Sequence, residues 1–477
     1  MYTGNKFKIL LSSVYYLNLL LIVMQLRQVV IIILISSITS FQGLSQSCFE
    51  VTINHYPDTS VILASYYGEK NIIVDTAYSD HSKFTFYKQD YPGGVYMLAS
   101  QTRKKLFEFI INDECGFSLH TDAEVPFDVK VDSSNENSIF YDYQSLRNSI
   151  HQKIRQYADT TPEALLSLSE NLKKELSLKE DFIINSFPDL FISKLILAQK
   201  EIPVPDSLQN DSLKAYLYYK KHFWDHFNLS DERFIRTPLL EKKLNYYFDH
   251  VIYLSPDSAI NAIDTIISRA RPSDEMVSFL LWYFMSRYQN PKYMGFDKVF
   301  VHLVDDYFLK EDVLNMTPSI REKLRERSDK LKPLLLGEIA PNLNLIDTNN
   351  SFRSFRSLKS DYVLLLFWDY NCPVCKNTIK ELKKLLDTTN YDLTVYAINV
   401  NGDLDKWKKS VKELNTNWIH VNGTISTTLD FHDIYDINST PKVYLLNSGK
   451  KIIAKNFKVD QIFAIIDNQF MINKRIF

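Results

Sequence analysis

Apolar and polar positions follow different periods in different parts of the chain. Between residues 48 and 132 they alternate with the two-residue period of β-strands, as where Phe49, Val51 and Ile53 flank polar neighbours. Gly, Pro, Asp and Asn separate these short aromatic and β-branched runs, which indicates turns. The pattern predicts a small antiparallel β-sandwich over residues 48–132.

From residue 138 to residue 332 the apolar positions recur every three or four residues, which is typical of amphipathic helices. Prolines punctuate this segment and mark helix starts or stops, at positions 188, 203, 205, 238, 256, 272, 291 and 318. The segment is rich in Tyr and Phe, which we assign to the core of the helices. We predict a central all-α domain over residues 138–332.

Beyond Pro333, Gly337 and Pro341 the pattern changes again, and residues 337–477 are predicted to form an α/β domain. Its first element, Tyr362–Trp368, is a continuous apolar run that suits a strand buried on both faces. The predicted order is strand, helix, strand, helix, hairpin, helix. The later elements are a helix around Ile379–Leu386, a strand at Leu393–Val400, a helix around Leu404–Leu414, a hairpin turning at Asn447-Ser448-Gly449 and a helix at Phe463–Phe470.

The first 47 residues have the composition of a targeting segment. From Met24 the chain reads as a charged start, an apolar run over Val29–Ile35 and a small-x-small cleavage site at Gly43-Leu44-Ser45. This pattern favours translation from Met24 and export. The alternative is a membrane anchor that includes the earlier apolar run Ile9–Val23, although neither run alone reaches the ~20 residues of a spanning helix.

Composition excludes some classes of function. A length of 477 residues suggests about three domains, and the formal net charge is −2. No clustered basic excess points to nucleic acid as a partner. Glycine occurs only 11 times, and the chain has neither GxGxxG nor GxxxxGK[ST], so a nucleotide cofactor is disfavoured.

Two of the 4 cysteines, Cys372 and Cys375, have a CxxC spacing that admits three interpretations. They are a reversible dithiol, half of a zinc site, or two buried thiols. A zinc site is the weaker interpretation, because it usually needs a second pair of ligands and the other cysteines, Cys48 and Cys115, lie in a different predicted domain. For Cys48 the sequence leaves lipidation, a disulfide with Cys115 and a free thiol open.

One further motif, HFWDH, places His222 and His226 one helical turn apart. In the zinc motif HExxH a glutamate follows the first histidine, but here that residue is Phe223, and no third ligand is apparent. We therefore predict no metal site and interpret both residues as ordinary, partly buried histidines.

Three stretches carry a resemblance to a known family: GEIAPNLNLID at 337–347, LLLFWDYNCPVC at 364–375 and YDINSTPKVYLLNSGKKII at 435–453. They resemble the TlpA/ResA-like thiol–disulfide oxidoreductases of the bacterial cell envelope, which share sequence with AhpC/TSA proteins. The resemblance implies a thioredoxin fold, no cofactor, protein disulfides as substrates and a membrane-side thiol as electron donor. It also implies a periplasmic or cell-envelope location. The two preceding segments resemble modules that often precede this domain.

The resemblance assigns roles to individual residues. Cys372 would be the nucleophile, because the amide groups and dipole at a helix N-terminus stabilise its thiolate, and Cys375 would be the resolving thiol. Pro373 suits the first helical turn, where its missing N–H costs nothing. Trp368 precedes the dithiol, and Thr440-Pro441 matches the family's cis-proline loop, which pairs with the incoming substrate chain.

The chain also departs from its relatives. Thioredoxins carry a buried Asp where this chain has Leu366, and ResA-like proteins carry a Glu where it has Thr378, so Asp369 and water are the candidate bases. A peroxiredoxin is disfavoured because its Pro and Thr positions hold Leu365 and Asp369. No His separates the cysteines, which favours a reductant. The rival hypothesis is an envelope scaffold protein with a redox-responsive or inactive thioredoxin module.

Overall fold

The computed structural model describes residues 48–468 except 89, 113–114, 126, 158–161 and 389. The predicted targeting segment, residues 1–47 with its start at Met24, lies outside the described residues. The chain forms two compact units, with the boundary between Gln199 and Lys200. Within the described residues, no helix combines the length and the apolar character that crossing a membrane requires.

The described residues of the first unit form eight strands and three helices. Its strands are β1 (Phe49–Asn54), β2 (Ser60–Tyr67), β3 (Lys70–Asp80), β4 (Lys83–Phe86), β5 (Gly94–Ala99), β6 (Lys105–Ile111), β7 (Phe117–Asp122) and β8 (Lys130–Asp132). Its helices are α1 (Asn135–Gln156), α2 (Pro162–Ser186) and α3 (Phe191–Gln199). The strand order is β6-β5-β2-β3-β4-β1-β7-β8.

The long strand β3 joins the two halves of this sheet, because it pairs with β2 along one part and with β4 along another. The two halves enclose one apolar core, in which Phe49 stacks on Phe86 and Phe117 at centroid distances of 4.5 and 5.2 Å. This arrangement confirms the predicted β-sandwich. One detail differs from the prediction, since β1 and β7 pair in parallel.

A disulfide between Cys48 and Cys115 accounts for the parallel pair. Cys48 immediately precedes β1, and Cys115 lies just before β7. The backbone is bonded at the same place, since the Gly116 N–H donates to the Cys48 carbonyl at 2.5 Å. Both strands therefore leave the same point and run in the same direction.

Helix α1 docks on the edge of the sheet through polar side chains. The Asn137 amide group donates to the Ile110 carbonyl and accepts from the Ile110 N–H, both at 2.8 Å, as a neighbouring strand would. The buried Glu136 carboxylate accepts from the N–H groups of Phe191 and Ile192 at 3.0 and 2.6 Å and so satisfies the start of α3. These bonds place the first three helices in one unit with the sheet.

The second unit begins with helices. They are α4 (Asp206–Gln209), α5 (Ser212–His222), α6 (Leu239–Tyr246), α7 (Pro256–Ala270), α8 (Asp274–Tyr288), α9 (Asp297–Leu303) and α10 (Pro318–Leu331). Pro256 and Pro318 occupy first helical positions, behind Ser255 and Thr317, whose hydroxyls accept backbone N–H bonds. Together with α1–α3 these helices confirm the predicted helical region.

The rest of the second unit is a seven-stranded mixed sheet with helices on its faces. Its elements are β9 (Asn344–Asp347), β10 (Phe352–Ser354), β11 (Tyr362–Trp368), α11 (Pro373–Leu386), β12 (Leu393–Asn399), α12 (Leu404–Leu414), β13 (Ile419–Ser426), α13 (Phe431–Ile434), β14 (Lys442–Asn447), β15 (Ile452–Lys455) and a helical segment at residues 462–468. The strand order is β10-β9-β13-β12-β11-β14-β15.

Strand β11 is the centre of this sheet and is buried on both faces. Val363, Leu365 and Phe367 enter one apolar cluster, whereas Leu364, Leu366 and Trp368 enter the other, which also contains Cys375 and Trp407. Strands β11, β12 and β13 are parallel, and the β14–β15 hairpin is antiparallel to them. The predicted α/β domain of thioredoxin type is thereby confirmed.

Strand β13 has no counterpart in the element order predicted from the sequence. Its buried positions include His420 and Asn422, whereas its apolar residues are few and a glycine interrupts it. Gly423 lies so close to Phe431 that a Cβ atom would come within 2.6 Å of the ring. Because polar residues occupy buried positions, the strand lacks the alternation of apolar and polar residues that would predict it.

Candidate functional site

The two cysteines lie where β11 ends and α11 begins. After Trp368 the chain turns, because the Asp369 carboxylate accepts from the Asn371 N–H at 2.7 Å and the Asp369 carbonyl accepts from the Cys372 N–H at 3.0 Å. The polar residues of the loop thus form a turn, and helix α11 begins directly after it at Pro373.

Cys372 is the N-cap of α11, and its sulfur accepts the N–H of Cys375 at 3.2 Å. It is partly exposed, whereas the Cys375 side chain is fully buried. Between them, Val374 is 61% exposed. The first cysteine is therefore accessible from solvent, whereas the second is not.

The surroundings of Cys372 favour its thiolate. Burial by itself raises the pKa of the thiol, but hydrogen bonds from the side chain and backbone of Cys375, the Thr440 side chain and the Val374 N–H lower it. The net result is a pKa below that of an ordinary cysteine. The largest lowering contribution is the hydrogen bond from the Cys375 side chain, and the next is the Cys375 N–H, which belongs to the helix start where backbone N–H groups lack partners.

The surroundings of Cys375 act in the opposite direction. Its pKa is raised to about 11, mainly by burial and next by the hydrogen bond to the Cys372 sulfur, against the lowering effect of the Asp369 N–H and the Thr440 side chain. Two thiols one helical turn apart thus differ in the direction of their pKa shift. The lower pKa of Cys372 favours its thiolate, and the raised pKa of Cys375 favours its protonated thiol.

Thr440 and Pro441 lie opposite the dithiol, and the peptide bond between them is cis. The Thr440 carbonyl oxygen is 3.8 Å from the Cys372 sulfur. The structure thus brings together four of the residues singled out in the sequence: Cys372, Cys375, Thr440 and Pro441. Pro373 starts the helix of the dithiol, and Trp368 ends the strand before it.

Trp368 is fully buried and belongs to a polar layer that sequence reasoning missed. Its ring centroid is 6.4 Å from that of His420, which is held by Thr416 at 2.7 Å. Burial lowers the pKa of His420 to about 4, so the ring is neutral at pH 7. Four buried polar atoms here have no hydrogen-bond partner in the described residues: Trp368 Nε1, Asn399 Oδ1, Trp407 Nε1 and His420 Nδ1.

The positions at which relatives carry an acid are apolar or neutral here. Leu366 is fully buried in the cluster that holds Cys375, and Thr378 lies on α11. Asp369 contacts the site through its backbone, since its N–H bonds the Cys375 sulfur while its carboxylate is used by the turn. The side chain of Asp369 is therefore engaged away from the sulfur atoms.

A cleft of about 1110 Å³ adjoins the cis-proline loop. Pro441 and Lys442 line it on one side and Asn456 and Phe457 on another, while α11 contributes Thr378. The helical region lines it with the loop of residues 289–295, which joins α8 to α9, and with residues of α9 and α10. No pattern in the sequence indicates this cleft, because residues more than a hundred positions apart form it.

The histidine pair of the HFWDH motif is used in other contacts. His222 Nδ1 is 2.6 Å from the Asp225 carboxylate, and His226 Nδ1 is 3.4 Å from the Lys200 carbonyl. Within the described part of the chain, no group of three or more His, Cys, Asp or Glu side chains is placed to hold a metal ion.

Comparison with known families agrees with this geometry. Residues 360–452 match the model of the thioredoxin-like family, and residues 149–331 match a domain of unknown function, DUF5106. The strand–dithiol–helix unit defines a protein of the thioredoxin class. Residues 360–452 of the C-terminal domain are thus similar to the thioredoxin-like family. No curated protein matches it.

Three solved structures are similar to parts of the chain. A thioredoxin-like protein from Bacteroides caccae has 21% identity and a TM-score of 0.45, over 56% of this chain and 97% of that one. A domain of a possible thiol-disulfide isomerase from Cytophaga hutchinsonii has 31% identity and a TM-score of 0.28, over 30% and 99%. The thioredoxin domain of a thiol-disulfide oxidoreductase from Bacteroides vulgatus has 26% identity and a TM-score of 0.25, over 28% and 96%.

Proposed function

We propose that the chain is an exported thiol–disulfide oxidoreductase that reduces disulfides in other proteins through Cys372 and Cys375. The observation that carries this proposal is the opposite pKa shift of the two thiols across one helical turn. The low pKa of Cys372 increases the fraction of thiolate that attacks a disulfide, and the high pKa of Cys375 keeps this thiol protonated until the mixed disulfide has formed.

The reaction begins with the Cys372 thiolate. It attacks one sulfur of a substrate disulfide, forms a mixed disulfide and releases the other substrate sulfur as a thiolate that takes a proton from solvent. Cys375 then loses its proton to water and attacks the Cys372 sulfur. The substrate leaves with both sulfurs reduced, and the chain keeps an internal Cys372–Cys375 disulfide after a transfer of two electrons.

Return to the dithiol requires a thiol donor, which we place on the membrane side of the envelope. Burial is the main reason for the high pKa of Cys375, and the hydrogen bond and charge of the Cys372 sulfur add to it. Formation of the mixed disulfide removes these two contributions, because a neutral sulfur then replaces the Cys372 thiolate. The pKa of Cys375 falls at the step at which its thiolate is needed. No separate carboxylate is required at the position of Leu366.

Export is supported by the Cys48–Cys115 disulfide, because such bonds persist in oxidising compartments. The N-terminal sequence of the mature protein tests this part of the proposal. We expect it to begin after the small-x-small site at Gly43-Leu44-Ser45. A mature protein that still begins at Met1 contradicts export.

Insulin reduction by the full-length chain tests the activity. Cys372→Ser should abolish turnover, whereas Cys375→Ser should accumulate the mixed disulfide, which is visible as a mass increase that a reducing agent removes. Equilibration with glutathione buffers should give a potential near that of thioredoxin, roughly −270 mV. A potential near −120 mV would indicate an oxidant, and absence of a reversible disulfide would favour the scaffold hypothesis.

A further inference from the structure

The loop of residues 289–295 is held in a fixed position beside the cis-proline loop. Lys455 at the end of β15 forms a buried ion pair with Asp297, and its ammonium group also donates to the Leu334 carbonyl. The Lys455 N–H contacts the Met294 sulfur at 3.2 Å. A charge buried at this depth is stable only with its partner in place, so the pair fixes the two segments together.

Two further contacts hold the ends of this loop. Arg327 of α10 donates to the Gln289 carbonyl at 3.2 Å. Gly295 has φ +86°, and a Cβ atom there would lie 2.9 Å from the Leu336 side chain. The backbone of the loop is therefore determined at both ends by its surroundings, as in a binding site built on a rigid support.

The side chains between these anchor points face solvent. Tyr293 is 45% and Met294 42% exposed, and the Lys292 ammonium group is 5.5 Å from the Tyr293 ring centroid. An exposed aromatic ring, a flexible thioether and a nearby cation form a surface that suits mixed apolar and polar chains. All three residues line the cleft.

The cleft adjoins the dithiol site through the cis-proline loop. Pro441 lines it, and the neighbouring Thr440 carbonyl is 3.8 Å from the Cys372 sulfur. The cleft therefore begins one residue away from the carbonyl that faces the Cys372 sulfur, within reach of the polypeptide that flanks an attacked disulfide. The volume of about 1110 Å³ lies at the upper end of small-molecule sites, which hold ~300–1,000 Å³, and is more than a small disulfide fills.

We propose that the loop of residues 289–295 is a recognition element for substrate proteins. In this proposal, which rests on the proposed function, the cleft binds an extended, unfolded segment of the substrate that flanks its disulfide. Tyr293 is its main contact residue. The helical region thus gives the dithiol a preference for polypeptides over small disulfides.

Binding of a polypeptide without sulfur chemistry tests the cleft independently of the dithiol. The probe is the insulin B chain, S-carboxymethylated and labelled with fluorescein, and anisotropy reports its Kd for the full-length chain. Tyr293→Ala should raise the Kd about tenfold, as truncation of an aromatic contact residue does. Tyr253→Ala is the matched control, since Tyr253 is 72% exposed and does not line the cleft.

Turnover of two substrates completes the test. Tyr293→Ala should raise KM for insulin about tenfold and leave the reduction of glutathione disulfide unchanged. An unchanged Kd in Tyr293→Ala, or an equal change in Tyr253→Ala, overturns the recognition element. If the unmodified chain binds the probe through Tyr293 but reduces neither disulfide, the proposed oxidoreductase activity is wrong, whereas the proposal that the cleft binds polypeptides is supported.

Discussion

The chain contains two cysteine pairs whose surroundings differ in almost every respect. Cys48 and Cys115 are 67 positions apart in sequence and join the starts of two paired strands. Cys372 and Cys375 lie on one turn of a helix, and both are thiols. The first pair closes a long loop, which restricts the unfolded chain, whereas the second closes only a few residues.

This difference shows how the backbone decides what a cysteine does. At the first pair, strand hydrogen bonds hold the two sulfur atoms together, and no helix start is available to stabilise a thiolate. At the second pair, the N–H groups of α11 favour charge on Cys372 while burial opposes charge on Cys375. The long loop that it closes therefore makes the first pair a stabilising cross-link. In the second pair, local electrostatics instead lower the pKa of Cys372 and favour its thiolate.

The largest expected effect is a difference in reactivity within the dithiol. At pH 7 a thiol with a pKa of about 11 is ionised to about one part in ten thousand, and Cys375 is also buried. We expect iodoacetamide to modify Cys372 at least a thousandfold faster than Cys375, as measured by mass spectrometry of peptides. The urea-unfolded chain is the control and should lose this preference. Similar rates in the folded chain would contradict the assigned roles.

The second effect concerns the disulfide. Replacement of both partners, Cys48→Ala with Cys115→Ala, should lower the free energy of unfolding of the first unit by about 4 kcal/mol, from the loop-closure entropy of 67 residues. Calorimetry of the full-length chain measures this change. The iodoacetamide rate at Cys372 is the control and should stay the same. A first unit that unfolds at an unchanged temperature would show that its core alone determines its stability.

The smallest expected effect is a loss of stability at acid pH in the second unit, which contains the dithiol. The pKa of His420 is about 4 in the folded protein and 6.5 in the unfolded chain, so the unfolded chain binds more protons between these values. Stability is therefore highest above pH 6.5 and falls as the pH is lowered towards 4. Between pH 7 and pH 5 we expect a loss of about 2 kcal/mol in urea denaturation.

A variant at the same position provides the control. His420→Gln removes the titrating ring, so the free energy of unfolding of the second unit should depend less on pH between 7 and 5. An equal dependence in the variant would mean that other groups cause the acid sensitivity.

The sequence predicted most of the elements that carry the dithiol. The apolar run Tyr362–Trp368 is strand β11, because a central strand needs apolar residues on both faces. The hairpin around Asn447-Ser448-Gly449 joins β14 and β15. Both patterns are local in sequence, so neighbouring residues are sufficient to predict the strand and the hairpin.

The features that the sequence did not reveal depend on distant partners. Strand β13 was missed because His420 and Asn422 occupy its buried positions, and their environment comes from other strands. The cleft depends on the contact between Lys455 and Asp297, which are 158 positions apart. For the disulfide the sequence left three states of Cys48 open, and pairing became evident only from the adjacent starts of β1 and β7.

The side chain of Asn137 has a consequence for the protein's behaviour among unfolded chains. Strand β6 is at the edge of the first sheet, and an open edge can recruit any polypeptide with unpaired backbone groups. Asn137 occupies both backbone groups of Ile110, and the Tyr141 hydroxyl donates to the neighbouring Glu108 carbonyl at 2.6 Å. At Ile110 and Glu108 this edge is thereby closed to pairing with the backbone of another chain.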